Sequence, residues 1–420
     1  MSYNYLFVIC IILISTKLLS LLTGRLQMPQ VVGSLLAGLL LGPAVFNILL
    51  PSDFLNRLAE LGVIVIMFSA GTGTSLKDLK NSGKSGLLVA LIGVIIPLGL
   101  GALLMGIFNP DESMLANIFM GTVLTATSVS ITVETLKEMG KLNTKVGNTI
   151  LAAALIDDVL GLICLTIVTS LSGADVNISL VLLKILLFFV FIIVLGFIYN
   201  KLSTWYMNRL NNKNLHRYPI AGFALCLFMA WAAEVVFGVA DIIGAFAAGI
   251  IVATTPKGSY IASKFAPLSY LLLTPIFFAN IGLKVTLPQL SGKLVIFTIL
   301  LVLVGILSKL IGCGFGAKVC GFTNRQALQT GLGMACRGEV ALITANKGMS
   351  MGLIDKEYFG PIIILIVCCA VFTPILLKAA FKNHATASQD STLVDNYELT
   401  QADIEEGRAI RPKKLESNYR

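Results

Sequence analysis

Charged side chains are scarce in this chain of 420 residues: Asp, Glu, Lys and Arg together make 13%, where a soluble domain carries about a quarter. That shortage, with 56% apolar residues and a mean hydropathy of +0.88, excludes an ordinary soluble domain and a disordered chain. Histidine is nearly missing. His216 falls in a polar loop and His384 in a polar tail, which excludes a histidine metal cage and an imidazole relay inside the apolar segments. The eight cysteines, at 10, 164, 226, 313, 320, 336, 368 and 369, show no paired metal-ligand spacing and mostly sit inside apolar runs, as small core residues do. No GxxxxGK[ST] stretch occurs, so ATP-driven work is not expected and no cofactor is called for. The 31 basic residues outnumber the 22 acidic ones, but the excess is spread over loops, and nucleic acid is not an expected partner.

What is present is a series of long apolar runs. A bilayer core about 30 Å thick takes about 20 apolar residues per helix. The runs predict an all-α membrane protein of about thirteen transmembrane helices, at roughly 5–22, 30–50, 57–73, 86–107, 113–136, 146–171, 178–200, 217–238, 240–255, 262–284, 293–313, 326–347 and 358–381. The first run has no basic residue before it and no convincing cleavage site, so it is expected to be a retained helix. Odd-numbered loops carry fifteen Lys and Arg, even-numbered loops five, from Arg57 to Lys356. By the positive-inside rule the N-terminus is outside and the C-terminus cytoplasmic. Asp53, Glu112, Asp355 and Glu357 give the outer face an acidic lean. After about residue 383 the chain turns polar, and 383–420 is expected to be a flexible cytoplasmic tail, too short for a nucleotide-binding domain.

Thirteen crossings divide as six, one and six. A first repeat over about 5–172, a linker helix over about 178–200 and a second repeat over about 217–382 would enter the membrane from opposite sides, the inverted-repeat plan of secondary transporters. Such proteins bind ions on helices interrupted at matching places. Here the fifth helix of each half is unusual. Residues 121–132 carry six hydroxyls, among them Thr127 and Ser128, and 331–340 carry Gly331, Gly333 and Gly338 beside Arg337 and Glu339. Both are poor material for an uninterrupted helix, and two crossing breaks would offer free carbonyls and hydroxyls to a cation.

The strongest chemical signal is Asp157-Asp158 in the middle of the sixth run. One carboxylate at the bilayer centre costs about 2.5 to 3.5 kcal/mol, and two adjacent ones also repel. Successive helix residues point about 100° apart, so one can face a partner while the other faces a water-filled crevice. The partner candidate is Lys309, mid-run in the eleventh segment with no loop near enough for snorkelling. Desolvation disfavours the charged form of all three groups, which equips them to exchange protons as a coupled set. Arg337 and Glu339 are expected to be structural charges at the second break. Glu134, near the cytoplasmic end of the fifth run, is a candidate gate. Glu234 and Asp241 flank an outer turn and are not assigned to a site.

The set Thr125-Ala126-Thr127-Ser128-Val129-Ser130, Ile156-Asp157-Asp158, Lys309 and Arg337-Gly338-Glu339-Val340 resembles the bacterial sodium/proton antiporters of the monovalent cation:proton antiporter-2 family, the NapA type. The resemblance covers about residues 5–382. It implies thirteen helices, a mobile core domain, a dimerisation domain and elevator-like alternating access as a homodimer in the bacterial plasma membrane. It also implies that Asp158 is the principal carboxylate for Na⁺ and H⁺, with Thr127 and Ser128 beside it, and that Asp157 pairs with Lys309 and releases it when the cation arrives. Potassium-efflux relatives of the Kef type usually have Gln where Asp157 stands, and electroneutral relatives have Asn. Two acids and a lysine therefore favour electrogenic exchange. Cys336 departs from the family pattern. Alternatives are a K⁺/H⁺ antiporter and a sodium-coupled symporter of an organic anion. Intramembrane aspartyl proteolysis fails, because adjacent aspartates cannot flank a peptide bond. No enzymatic activity is expected.

Overall fold

The computed structural model describes residues 4–26, 28–110, 112–172, 177–209, 217–285 and 291–382. The expected tail, 383–420, lies outside the described residues, as do Asp111, Asp175, Lys213 and His216.

In chain order the helices of the first half are α1 (Asn4–Arg25), α2 (Gln30–Leu41), α3 (Asp53–Thr72), α4 (Leu76–Phe108), α5 (Met114–Thr125), α6 (Val129–Glu138) and α7 (Lys145–Leu171). The long helix α8 (Ile178–Arg209) follows. The second half contains α9 (Arg217–Trp231), α10 (Asp241–Ala253), α11 (Gly258–Leu268), α12 (Thr274–Leu283), α13 (Gly292–Val319), α14 (Asn324–Gly333), α15 (Glu339–Ser350) and α16 (Lys356–Phe381). Among the described residues, ten helical stretches are long and apolar enough to cross a membrane, and α2 and α10 are shorter apolar helices.

Local chemistry sets many of the boundaries. Ser52, Ser75, Ser113 and Thr144 each accept a backbone N–H three residues on, and Thr323 with Gln326 forms a capping box. The run expected as one helix over 30–50 stops at Leu41, because Gly42-Pro43 turns the chain, and Phe46, Ile48 and Leu50 are exposed. The run over 262–284 is helical throughout but passes through a π-helical turn, Ser269–Leu273, flanked by Pro267 and Pro275. Proline removes an N–H from the ladder, and the wider turn absorbs the mismatch. A second π turn, Ala232–Phe237, extends α9 and ends at Gly238, whose φ of 66° is the left-handed value glycine tolerates.

Packing sorts the helices into two bundles. The scaffold bundle comprises α1, α2, α3, α9, α10, α11 and α12, with α3 against α10 and α2 against α1 and α12. The core bundle comprises α4, α5, α6, α7, α13, α14, α15 and α16, centred on α4 against α5, α7 and α13. α8 touches α7 on one side and α10 on the other. The two bundles meet mainly where α6 and α16 face α2 and α3. That seam lies at the basic end of the molecule, where Lys145 sits over the Phe322 ring and Arg325 donates to the carbonyls of Ala380 and Phe381.

Lipid tails are as apolar as leucine, so helices in a bilayer associate through close packing rather than through water exclusion. Gly121 of α5 shows this: an added Cβ would strike the Leu98 carbonyl of α4, whereas Gly99, on another face of α4, has open space. Gly121→Leu is therefore expected to destabilise the core bundle by about 1 to 3 kcal/mol or more. Gly99→Leu is expected to be nearly neutral. Thermal unfolding of the two variants in detergent checks the pair, and equal melting temperatures would contradict this packing.

Candidate functional site: a buried ion pair beside two helix breaks

The fifth run of the first half is interrupted where its hydroxyls cluster. α5 ends at Thr125, Ala126 (φ −56°, ψ 135°) and Ser128 (φ −91°, ψ 102°) are extended, and α6 starts at Val129. In the second half α14 ends at Gly333, and α15 begins at Glu339 after an extended Gly338. The two breaks lie against each other. Ser128 N–H donates to the Cys336 carbonyl at 2.9 Å, Thr132 Oγ1 to the Gly333 carbonyl at 2.8 Å, and Thr127 Oγ1 approaches the Met334 carbonyl at 3.5 Å. A Cβ at position 338 would sit 2.7 Å from Ser128 Oγ, so this crossing needs glycine.

Asp157 and Asp158 lie mid-helix on α7, and Lys309 lies mid-helix on α13. Lys309 Nζ donates to Asp157 Oδ1 at 2.6 Å, with the lysine fully buried and Asp157 2% exposed. This is a short charge-assisted bond between two buried side chains. Asp158 points elsewhere: its Oδ2 is buried with no hydrogen-bond partner, and its charged neighbours are Asp157, Glu339 and Lys309. Along α7 the residues Val146 to Ala154, toward the basic end, are all buried, while Leu155 to Leu165 are partly exposed except for Asp157. Asp158 stands at that boundary.

Arg337 and Glu339 do not neutralise each other. Arg337 is fully buried and donates from Nη2 to the Gly305 carbonyl of α13 at 3.1 Å, while its Nε and Nη1 find no protein partner. Gly305 lies one turn before Lys309, so the arginine braces the segment that carries the lysine. Glu339 opens α15, with Oε2 buried and unpaired. Glu134 of α6 pairs with Lys137 on its own helix at 3.7 Å. The structure thus joins Asp157 to Lys309 and joins the Thr127-Ser128 break to the residues before Arg337. Gly338 was visible in the sequence only as one of three glycines; its role becomes legible from the Ser128 contact.

Membrane-length helices packed around a buried lysine–carboxylate pair, an unpaired carboxylate and two crossed helix breaks define the build of a secondary ion transporter. Residues 10–382 match the family model described as "Sodium/hydrogen exchanger, transmembrane". The chain belongs to the sodium/hydrogen exchanger family and is a multi-pass membrane protein. It is 39% identical over 383 residues to the Na⁺/H⁺-K⁺ antiporter GerN of Bacillus cereus, covering 91% of this chain and 97% of that one. It is 40% identical over 382 residues to the probable Na⁺/H⁺ antiporter GerT of the same organism, covering 90% and 99%. In fold it is similar to the sodium proton antiporter MjNhaP1 from Methanocaldococcus jannaschii, with a TM-score of 0.65 at 19% identity over 90% of this chain and 98% of that one.

Removing one partner of a buried pair leaves an uncompensated charge and costs about 3 to 5 kcal/mol, whereas replacing both by apolar groups can be neutral. Lys309→Met is expected to lower the melting temperature sharply, and Lys309→Met with Asp157→Leu to recover most of the loss. A double-mutant cycle in detergent measures the coupling; strictly additive losses would refute the pairing.

Proposed function

We propose that this chain exchanges Na⁺ for H⁺ across the bacterial plasma membrane, with Asp158 as the shared site. The observation that carries the proposal is the 2.6 Å Lys309–Asp157 bond beside a buried Asp158 oxygen with no partner. A carboxylate with one buried, unpaired oxygen at the edge of an accessible stretch takes either a proton or a cation. Either one lifts the cost of leaving it charged, and Asp158 cannot hold both. Thr127 and Ser128 supply neutral oxygens at the break. Arrival of Na⁺ draws Asp157 toward the cation, Lys309 loses its counter-charge, and the desolvated ammonium gives up its proton. One departing cation is thereby coupled to protons on an aspartate and a lysine, which makes the exchange electrogenic.

Arg337 and Glu339 serve as structural charges at the second break. Glu134 with Lys137 forms a gate charge at the basic mouth. The basic end faces the cytoplasm, in keeping with its Lys and Arg excess, and the N-terminus lies outside. Thirteen crossings arranged as inverted six-helix repeats around α8 account for the way scaffold and core helices alternate along the chain. Alternating access then follows from movement of the core bundle against the scaffold bundle, the latter forming the homodimer contact. The names of the relatives, Na⁺/H⁺ antiporters in both cases, support Na⁺ as cargo. The Na⁺/H⁺-K⁺ antiporter among them supports testing K⁺ as well.

The test is cation-driven proton movement in proteoliposomes with an internal pH dye, with Na⁺, Li⁺ and K⁺ tried separately. Na⁺ is expected to move protons in the wild type, and Asp158→Asn to reduce the signal to that of empty vesicles. Under a K⁺/valinomycin clamp, an inside-negative potential is expected to speed Na⁺ efflux; a rate indifferent to potential would remove the electrogenic claim. Full exchange by Asp158→Asn would remove Asp158 from its role.

A further inference from the structure

At the basic end, α2 begins at Gln30 behind Met28 and Pro29, and the N-cap position is held by Pro29, which has no side-chain acceptor. The first-turn N–H groups of a helix need partners from outside it. The partner comes from the other bundle. The carboxylate of Glu138, the last residue of α6, accepts the Gln30 N–H at 2.8 Å and 3.0 Å, across 108 residues of sequence. A carboxylate at a helix N-terminus is favoured by the helix dipole as well as by the bond. Beside it Lys378 of α16, also in the core bundle, donates to the Met28 carbonyl at 3.3 Å. Two core side chains of opposite charge therefore grip one short stretch of scaffold backbone. Glu138 and Lys378 also line a cavity of about 530 Å³ together with Lys17 and Arg25 of α1. The cavity gives water access to both bonds, which keeps them breakable.

The other end of α6 makes this grip more than a surface contact. α6 is ten residues long, about 15 Å at 1.5 Å per residue. Its N-cap is Ser128, in the break beside the ion site, and its last residue is Glu138. A single rigid turn-and-a-half on either side of its centre thus links the cargo site to the scaffold contact. α6 is also the helix that makes the core's contact with α3 and shares with α16 the contact with α2.

We propose that Glu138, assisted by Lys378, is a latch that holds the basic-end seam between the bundles shut in this conformation and must let go for the core to move. The proposal rests on the alternating-access reading above and assigns that motion a specific contact. Glu138 is a positioning residue here and touches no cargo.

The test uses the full chain in proteoliposomes of uniform orientation. Gln30→Cys with Glu138→Cys is cross-linked by mild oxidation or a short bifunctional thiol reagent, and each single-cysteine variant is carried as a control for the eight native cysteines. Cross-linking is expected to cut exchange at least tenfold, with recovery on reduction. In a second arm, Glu138→Gln keeps an acceptor but loses the charge. It is expected to shift the ratio of apparent Na⁺ affinities on the two faces about tenfold toward the basic face, since a charged hydrogen bond no longer biases the population. Lys378→Met is expected to move the ratio the same way, so the measurement survives poor folding of either variant. A role confined to stability would lower the melting temperature and leave the ratio alone. Unimpaired exchange by the cross-linked protein overturns the latch by itself. No exchange by the wild type sinks the antiport reading and the latch with it.

Discussion

An ammonium and a carboxylate carried into a bilayer must meet each other or stop being charged, and the meeting of Lys309 with Asp157 is the constraint around which the core bundle is arranged. The two residues lie on helices far apart in sequence, α7 and α13, which both pack on α4. Small residues make the approach feasible. At Gly93 of α4, a Cβ would strike Cys313 Sγ, one turn beyond Lys309 on α13, so glycine there lets α13 pack closely on α4. Arg337 adds a brace one turn away, through the Gly305 carbonyl. With Asp157 committed to the lysine, its neighbour Asp158 has no cation of its own. The buried pair is costly in stability terms; what it yields is an adjacent carboxylate with a buried oxygen that is still unpaired.

The two helix breaks obey a related rule. Non-helical backbone at membrane depth is tolerated only where protein or a water-filled cavity satisfies it. Here each break satisfies the other: the Ser128 N–H uses the Cys336 carbonyl, and the Thr132 hydroxyl uses the Gly333 carbonyl. Neither stretch would be stable as an isolated interruption. This mutual dependence explains why both sequence signatures are needed together, hydroxyls on one side and glycines on the other. It also explains the extended Gly338, which lets Arg337 turn toward α13 while Glu339 starts a new helix near Asp158.

Much of this was legible in the sequence for a simple reason: a charge inside an apolar run has no structural excuse. Asp157, Asp158 and Lys309 announced themselves that way, and the hydroxyl-rich and glycine-rich stretches marked the breaks by poor helix propensity. The shortness of α2 was signalled by Gly42-Pro43, but the apolar run beyond it masked the stop. Arg337 and Glu339 were legible as structural charges at the second break, but the partner of Arg337, the Gly305 carbonyl of α13, shows only in the fold. The contact of Glu138 with Gln30 left no local trace. Glu134, Lys137 and Glu138 form the pattern of any solvated helix end, and which of them finds a partner depends on where a helix 108 residues earlier happens to begin.

That difference bears on how the site and the seam are connected. A continuous helix through 114–138 would tie the packing of α5 against α4 rigidly to the scaffold contact at residue 138. The extended Ala126 and Ser128 uncouple them and leave α6 as a separate short rod. The rod is held at one end by hydrogen bonds to the second break and at the other by the N-terminus of α2. Any change of charge at the break acts first on the N-terminus of that rod, where the positive end of its dipole lies. The far end can respond only by keeping or releasing the scaffold. The interruption of the helix at Ala126 and Ser128 thus creates a short element, α6, that runs from the crossed breaks to the bundle seam.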